Sequence, residues 1–531
     1  MKKKFLCITL TLLLLLPLLA ACAPSNEGTT DPTTTPTTGT PGTEEPGSNE
    51  LDPVTLVWHI GGRAQRDQEM VMTELNAYLK EKINTEIDMR FTTHADYQQK
   101  MSTIVGAGEE YDLAYVSTTF FNPVVNAQNG AFVELDELLP EYAPNLLNEV
   151  PGWVIEGAKI AGKTYIIPSY KDVADVFSFI YNKSLADDLG LDLTANWKTI
   201  FDLEERFYEF KEARDAKYPD KADIPMMTAY RTMGAWLPSD ILMGSVVANI
   251  EGIETFEGKG KGEMVFNQYD TEEYREMMRL QRQLVDDGIV AYDTKNYDPD
   301  KVREKSGDTA IRIGQGLVAV SEYHYSDDWV TGIVVSDYSI PSTAYLHAAG
   351  TAVSVTSKNP ERAVMLQDLV YSDEYVATTM RFGLEGEDNH YVIDENGHLD
   401  VSKGLNADPS DRGFYRWYGA ESGNLFKAIL PASQPENLFD AIQASNDNAS
   451  NFTSNLGFVM VQDAVANEIA AVANVIAEYH EPLSYGMVQD VDAHIDEFIA
   501  KMNDNGVDKI IEECQRQLNE WRASVGREVL Q

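Results

Sequence analysis

The chain has 531 residues, of which 85 are acidic and 42 are basic, so its formal net charge at pH 7 is -43. Such an excess of negative charge excludes nucleic acid as a partner, because the phosphate backbone would be repelled. Hydrophobic residues make up 43% of the chain, as in an ordinary globular protein, and its length requires at least two lobes.

The N-terminus has the pattern of a secretory signal. Lysines at 2–4 precede an apolar run over 5–19, which is shorter than the roughly 20 residues that a membrane-spanning helix needs. The run ends in Leu-Ala-Ala-Cys at 19–22, which resembles the lipobox of bacterial lipoproteins. That resemblance implies a signal peptide over 1–21 and a lipid such as palmitate on Cys22. The protein is then expected on the extracytoplasmic face of the cell membrane, at a Gram-positive cell surface.

Residues 22–52 are predicted to form a disordered tether behind that anchor. Between 23 and 50 the chain has no aromatic and no large aliphatic side chain, so this stretch cannot bury enough surface to fold. A flexible chain of this length reaches roughly 30 Å from end to end. The tether would therefore hold a globular body clear of a lipid surface.

The cysteines predict a mature protein without an intramolecular disulfide. Cys7 leaves with the signal and Cys22 becomes the anchor, so Cys514 alone remains. Its helical spacing from Ile510 and Leu518 predicts a thiol in the core rather than a nucleophile.

The first half of the folded body alternates strands with helices. Residues 54–60 read as a buried strand that runs into two glycines, and a helix with apolar spacing follows over 70–79. A second strand alternates over 87–91, and a third over 111–116 opens into Ser-Thr-Thr at 117–119. This order predicts an α/β fold with a mostly parallel sheet flanked by helices. Ligands of such sheets bind beyond the carboxyl ends of the strands.

The chain is then expected to pass into a second lobe and to return. Proline ends a strand at 168, and the pattern of short strands and helices repeats as far as 345. The tail is strongly helical. We therefore predict two lobes, each made of two stretches: 53–170 with about 346–440, and 171–345 with about 441–531.

Several short motifs together resemble the family-1, maltose-binding-like group of bacterial extracellular solute-binding proteins that carry an additional C-terminal domain of unknown function. The motifs are Cys22 with its lipobox, Tyr111-Asp112-Leu113, 130–135, 162–168, 179–183, 356–363, 382–391 and 508–521. The resemblance implies a type II clamshell that closes on a solute. It also implies a monomer that delivers a carbohydrate, expected to be an oligosaccharide, to the permease subunits of an ABC importer.

Sugar recognition needs flat aromatic faces and convergent polar groups on loops at strand ends. Trp58 and Tyr323 are the foremost aromatic candidates, although each aromatic taken singly packs in a core more often than it binds a ligand. On this basis Trp58→Ala is expected to abolish binding at little cost in stability. The full predicted ligand-binding set is Trp58, His59, Gly62, Ser117, Thr118, Tyr170, Tyr230, Arg231, Tyr323, His324, Glu385 and Trp417.

The amino-acid sequence also leaves other functions open. The sequence has no HExxH zinc motif, no GxSxG elbow and no P-loop, which argues against an enzyme and predicts neither a cofactor nor a metal. A hydrolase with a pair of carboxylates is not excluded by composition. Arginines such as Arg381 and Arg416 could pair with a carboxylated sugar. A binder of peptide-like solutes and a sensory lipoprotein are the remaining alternatives.

Overall fold

The fold is described from a computed structural model. It describes residues 51–173, 177–192, 200–223, 225–228, 240–243, 247–249, 264–291, 311–315, 323–326, 329–334, 343–416, 423–447 and 455–529. In this part of the chain no helix is both long enough and apolar enough to cross a bilayer.

Strands and helices alternate along the chain as far as the helical C-terminal region. The strands are β1 (Val54–Gly61), β2 (Thr85–Thr92), β3 (Leu113–Val116), β4 (Ile166–Pro168), β5 (Phe177–Asn182), β6 (Met227–Thr228), β7 (Asp240–Met243), β8 (Val247–Asn249), β9 (Val290–Ala291), β10 (Ile311–Gln315), β11 (Tyr323–Ser326), β12 (Trp329–Val334), β13 (Gly350–Val353), β14 (Val392–Ile393) and β15 (Leu399–Asp400). The helices are α1 (Gln68–Ile83), α2 (His94–Ala107), α3 (Pro123–Gln128), α4 (Leu138–Tyr142), α5 (Pro144–Glu149), α6 (Gly152–Gly157), α7 (Lys183–Leu189), α8 (Glu204–Lys217), α9 (Glu272–Asp286), α10 (Thr343–Leu346), α11 (Pro360–Ser372), α12 (Glu374–Phe382), α13 (Leu438–Asp447), α14 (Ala466–Ser484), α15 (Val491–Asp504) and α16 (Val507–Ser524).

The first sheet has five strands in the order β2-β1-β3-β13-β4. Strand β1 pairs in parallel with β2 and β3, as the alternating pattern predicts. Strand β13 runs antiparallel to both β3 and β4. The sheet is therefore mixed rather than mostly parallel, because the chain returns from its excursion at the carboxyl ends of β3 and β4 and has to run back between them.

The second sheet has four strands in the order β10-β5-β12-β11, and every pairing in it is antiparallel. The expectation of mostly parallel sheets is wrong for this one. Strands β11 and β12 are joined directly in sequence, and a short connection of this kind can only join antiparallel neighbours.

Two large hydrophobic cores lie around these sheets, and we call the elements on each the first lobe and the second lobe. The first core is built from residues of 56–173 and 346–380, together with Leu456. The second is built from residues of 181–290 and from the helical tail, beginning with Phe458. Neighbours in sequence, Leu456 and Phe458, thus belong to different cores.

The helices take their places because their apolar residues share one face. In α1, Val71, Leu75, Leu79 and Ile83 recur every fourth residue and are all buried. In α16, Cys514 is fully buried in the second core, which confirms the prediction of a core thiol.

Candidate functional site

The carboxyl ends of four strands of the first sheet lie along one edge, which we call the carboxyl edge. The register pairs Gly61 at the end of β1 with Thr92 at the end of β2. Gly350, at the start of β13, pairs with both Val116 at the end of β3 and Pro168 at the end of β4. Loops that follow these strands are therefore brought together, although they are far apart in sequence.

The chain leaves and re-enters the first lobe at this edge. Just after β4, the backbone N–H of Ser169 donates to the carbonyl oxygen of Ala349 at 3.0 Å. The N–H of Thr118, beyond β3, donates to the carbonyl oxygen of His347 at 3.2 Å. Residues 343–349, which we call the returning segment, thus lie directly beside the loop after β3. This loop therefore borders the junction between the lobes.

A tight turn presents side chains beyond β3. Ser117 is buried, its hydroxyl accepts the N–H of Thr119 at 3.2 Å, and its carbonyl accepts the N–H of Phe120 at 3.3 Å. Thr118 and Thr119 are exposed, Phe120 is half-buried, and Phe121 returns to the core. Ser117 therefore positions the turn, while Thr118 and Thr119 face outward.

An aromatic pair stands at the same edge. The ring of Phe120 stacks on the imidazole of His94, with 4.6 Å between centroids and 22° between planes. His94 begins α2 directly after β2 and is exposed. A Cβ placed on Gly61 would lie 3.0 Å from Nδ1 of His94, so the glycine at the end of β1 leaves room for this imidazole. Since His94 is exposed and Phe120 is half-buried, the pair is partly open to solvent.

A second aromatic group with a cation lies at the end of β2. The guanidinium carbon of Arg416 is 4.6 Å from the ring centroid of Phe91, and that of Arg412 is 3.7 Å from the ring of Tyr415. The N–H of Tyr415 donates to the side-chain oxygen of Gln65, in the loop after β1, at 3.4 Å. Residues 412–416 thus bring two arginines to the carboxyl edge of a protein that is acidic overall.

Trp58 and His59 do not reach this surface. Trp58 is 0% exposed and packs in the first core, while His59 is 3% exposed with its ring edge-on to Tyr111 at 5.8 Å. Burial, reinforced by the nearby Arg90, lowers the pKa of His59 to about 4. The expectation that Trp58 offers its ring to a ligand is corrected here. Strand β1 continues to Gly61, so both residues lie inside a sheet that is covered on both faces.

Tyr170 and Gly62 lie at the carboxyl edge in different ways. Tyr170 is 4% exposed, its ring packs edge-on against Phe426 at 4.9 Å, and its burial raises the pKa of its hydroxyl to about 12. Gly62 is half-exposed with φ 122°, a conformation that favours glycine, and its N–H donates to the carbonyl of Thr92 at 2.7 Å. Of these two, Gly62 borders the open surface.

Glu385 is exposed in the loop after α12. This loop is tied to the segment 404–413 by a bond from the N–H of Leu405 to the carbonyl of Asn389 at 2.7 Å. The N–H of Asp67, which lies in the loop after β1, donates to the carbonyl oxygen of Gly413 in this segment at 3.0 Å. The structure thus connects the loop of Glu385 to the carboxyl edge.

The remaining predicted residues are described only in part. Tyr323 and His324 lie in β11, paired with Thr331 and Val330 of β12. Outside the described residues lie Cys22, Tyr230, Arg231 and Trp417.

Sequence reasoning missed His94 and Phe120 at the carboxyl edge. A usable signal existed, because each follows a predicted strand by a few residues, as the ligand-binding loops of such sheets do. The predicted set instead contains aromatic residues inside the strands or close to their ends, such as Trp58 and Tyr170.

The comparisons with known proteins agree with this architecture. Residues 64–377 match the family described as bacterial extracellular solute-binding protein. Residues 454–523 match a domain of unknown function, DUF3502. The predicted combination of family and extra C-terminal domain is therefore confirmed. A carbohydrate ABC transporter substrate-binding protein of Streptococcus pneumoniae is 24% identical over 484 residues, which cover 88% of this chain and 91% of that protein.

Solved structures share the fold. The N-glycan transport solute binding protein NgtS of Streptococcus pneumoniae superposes with a TM-score of 0.71 at 21% identity, over 88% of this chain and 99% of that one. An HMO-binding, ABC-transporter-associated protein of Bifidobacterium longum infantis gives 0.61 at 18% identity, over 88% and 99%. The predicted α/β, two-lobed class with a helical C-terminal region is thus confirmed.

Proposed function

The chain belongs to the family of bacterial extracellular solute-binding proteins, and we propose that it captures a carbohydrate, specifically an oligosaccharide, for an ABC importer. In support, the pneumococcal relative is named for carbohydrate transport, and NgtS has been crystallised with Man1GlcNAc and with Man5GlcNAc. Family membership also favours a binding protein over the hydrolase that composition left open.

The observation that carries the proposal is the set of exposed and half-buried groups at the carboxyl edge, which we call the rim: Gly62, Phe91, His94, Thr118, Phe120 and Arg416. Flat rings suit the C–H face of a pyranose, and a hydroxyl and a guanidinium suit its oxygens. The rim borders the junction between the lobes, where ligands of such folds are held. A sugar needs only binding there, so the rim requires no nucleophile and no general base.

Capture then follows from movement of the lobes about the segments that join them. Residues 169–173, 343–349 and 455–458 connect the two cores and lie side by side, with the N–H of Gly457 donating to the hydroxyl of Thr343 at 2.7 Å. Closure removes water from both faces of a sugar, and opening releases it to the permease. In this account the predicted lobe limits near 170 and 346 fall at joining segments, and the third limit lies at 455–458 instead of near 440.

The proposal includes membrane attachment through Cys22. The lipobox-like ending of the apolar run and the tether over 22–52 support it. In this account a monomer held at the extracytoplasmic face meets the permease subunits by diffusion within the tether's reach. Membrane fractionation tests this: Cys22→Ser is expected to move the protein into the medium, and retention of that variant on the membrane would contradict the anchor.

A thermal-shift screen of the mature chain against neutral oligosaccharides, uronic oligosaccharides and short peptides tests the cargo. A ligand that binds only the folded state stabilises it and so raises its melting temperature. At a ligand concentration of one hundred times Kd, the free energy of unfolding increases by about 2.7 kcal/mol. The expected result is a shift with an oligosaccharide that is recovered intact. A shift with peptides alone, or cleavage of the sugar, would replace the proposal with the corresponding alternative.

A further inference from the structure

A groove of about 360 Å³ lies beside the turn that leads into β4, and no residue of the rim lines it. One wall is α6 and the turn after it, with Trp153, Glu156 and Lys159; the other is the end of α16, with Trp521 and Arg527. The turn leads into the start of β4, the strand farthest from β2 in the sheet. The groove nevertheless lies near the rim, because Nε2 of His347 donates to the carbonyl of Ala158 in that turn and Thr118 of the rim donates its N–H to the carbonyl of His347.

Glycine forms the floor of the groove. Gly457 lies in the segment that joins the two cores and has φ +96°, a conformation that disfavours other residues. A Cβ at this position would lie 3.3 Å from the carbonyl oxygen of Glu156 and 3.5 Å from Cζ2 of Trp521. The joining segment thus passes between the two walls, and its lack of a side chain keeps the space above it open.

The walls combine indole rings with paired charges. Trp521 packs on Phe458 at 5.8 Å and has the guanidinium carbon of Arg527 4.9 Å from its ring centroid. On the opposite wall Lys159 and Glu156 form an ion pair at 2.8 Å. Both tryptophans are partly exposed, although each packs against a core on one side. Two partly exposed tryptophans and paired charges therefore line one space.

We propose that this groove is a second saccharide site that takes one or two glycosyl units. Its volume lies within the usual range of small-molecule sites, about 300–1,000 Å³. Indole faces suit the apolar face of a sugar, and the charged groups suit its hydroxyls. The chemistry resembles that of the rim, but none of the rim residues contributes to it.

The two walls belong to different lobes, since Trp153 packs on the first core and Trp521 on the second. A saccharide that touches both walls stabilises the lobe arrangement in which the groove has this width. By linkage the effect is mutual. A ligand in the groove changes the affinity of the rim for its own ligand, and a rim ligand changes the affinity of the groove by the same factor.

Val525 and Val529 provide a matched pair for the test. Both are exposed, at 48% and 44%, but only Val525 lines the groove. Val525→Trp therefore fills the groove without removing a buried side chain, and Val529→Trp adds the same indole outside it. Calorimetric titration of the mature chain with mannobiose, cellobiose and diacetylchitobiose measures the number of sites.

We expect at least one of these disaccharides to bind at two sites in the unmodified protein and in Val529→Trp. Val525→Trp should weaken one site at least tenfold. Rim variants such as Phe120→Ala should leave the groove site intact, which separates failure of this inference from failure of the proposed function. A single site that Val525→Trp leaves undiminished, two undiminished sites in Val525→Trp, or no binding of any of the three sugars would overturn the inference.

Discussion

Two aromatic residues near the same edge of the first sheet have opposite surroundings. Trp58 lies inside β1 and is completely buried, whereas Phe120 lies in the turn beyond β3, half-buried against His94. Both precede or follow the end of a strand by three or four residues. In this pair the aromatic side chain that precedes the end of its strand belongs to the core, and the one in the turn beyond the strand is partly exposed.

The largest expected effect comes from truncating the buried member. Trp58→Ala removes an indole that is surrounded by the first core, so the free energy of unfolding should fall by about 3–5 kcal/mol. Ligand affinity per folded molecule should stay unchanged. Urea unfolding with titration of the folded fraction measures both quantities. Loss of affinity without loss of stability would instead return Trp58 to the binding set.

A smaller effect is expected where the sheet is closely packed at the carboxyl edge. A Cβ on Gly350 would lie 2.8 Å from the backbone carbonyl oxygen of Ile167, which cannot rotate away. Gly350→Ala should therefore destabilise the protein by about 1–3 kcal/mol. Gly106, in α2, has nothing within 4 Å of its added Cβ, so Gly106→Ala should be neutral or stabilising by up to about 1 kcal/mol. Equal melting temperatures for the two variants would contradict this account.

Truncation at the rim should affect binding rather than stability. Phe120→Ala and His94→Ala each break the stacked pair, and each should weaken oligosaccharide binding about tenfold, or about 1.4 kcal/mol. Isothermal titration calorimetry checks the affinities. The control is Tyr375→Ala, which removes an exposed ring from the pair with Tyr78 near the end of α1, at the opposite edge of the sheet. Unchanged affinity in both rim variants would show that the sugar binds elsewhere.

The smallest expected effect concerns His347 in the returning segment. Its burial lowers its pKa to about 4, and its Nε2 donates to the carbonyl of Ala158 at 2.8 Å. The unfolded chain takes up a proton below about pH 6.5, and the folded chain does not. Stability is thus complete above that pH and is lost as the pH falls towards 4, by about 0.7 kcal/mol from pH 7 to pH 6.

His347→Gln keeps a donor for that carbonyl but cannot take up a proton in this range. The variant should therefore show a shallower fall in Tm between pH 7 and pH 5 than the unmodified protein, with His59 providing part of the remaining slope. An identical slope in both proteins would indicate that His347 is not the group responsible.

The amino-acid sequence by itself determined the class of the fold. Period-two and helical spacings located β1, β2, β3 and α1, and the stripe around Cys514 predicted a helix face that is buried in the second core. Such patterns are local, because each records how a short stretch buries its own apolar face. Short motifs added the family, which the match over 64–377 confirms.

The tertiary structure alone decided which residues share a surface. The insertion of β13 between β3 and β4, and with it the mixed sheet, depends on where the chain returns after some 180 residues. Trp58 could be separated from Phe120 only by knowing where each strand ends relative to the helices that cover it. The groove beside Gly457 joins residues more than 350 positions apart. Contacts of this range leave no periodic trace in the sequence, because they are set by how the completed elements pack.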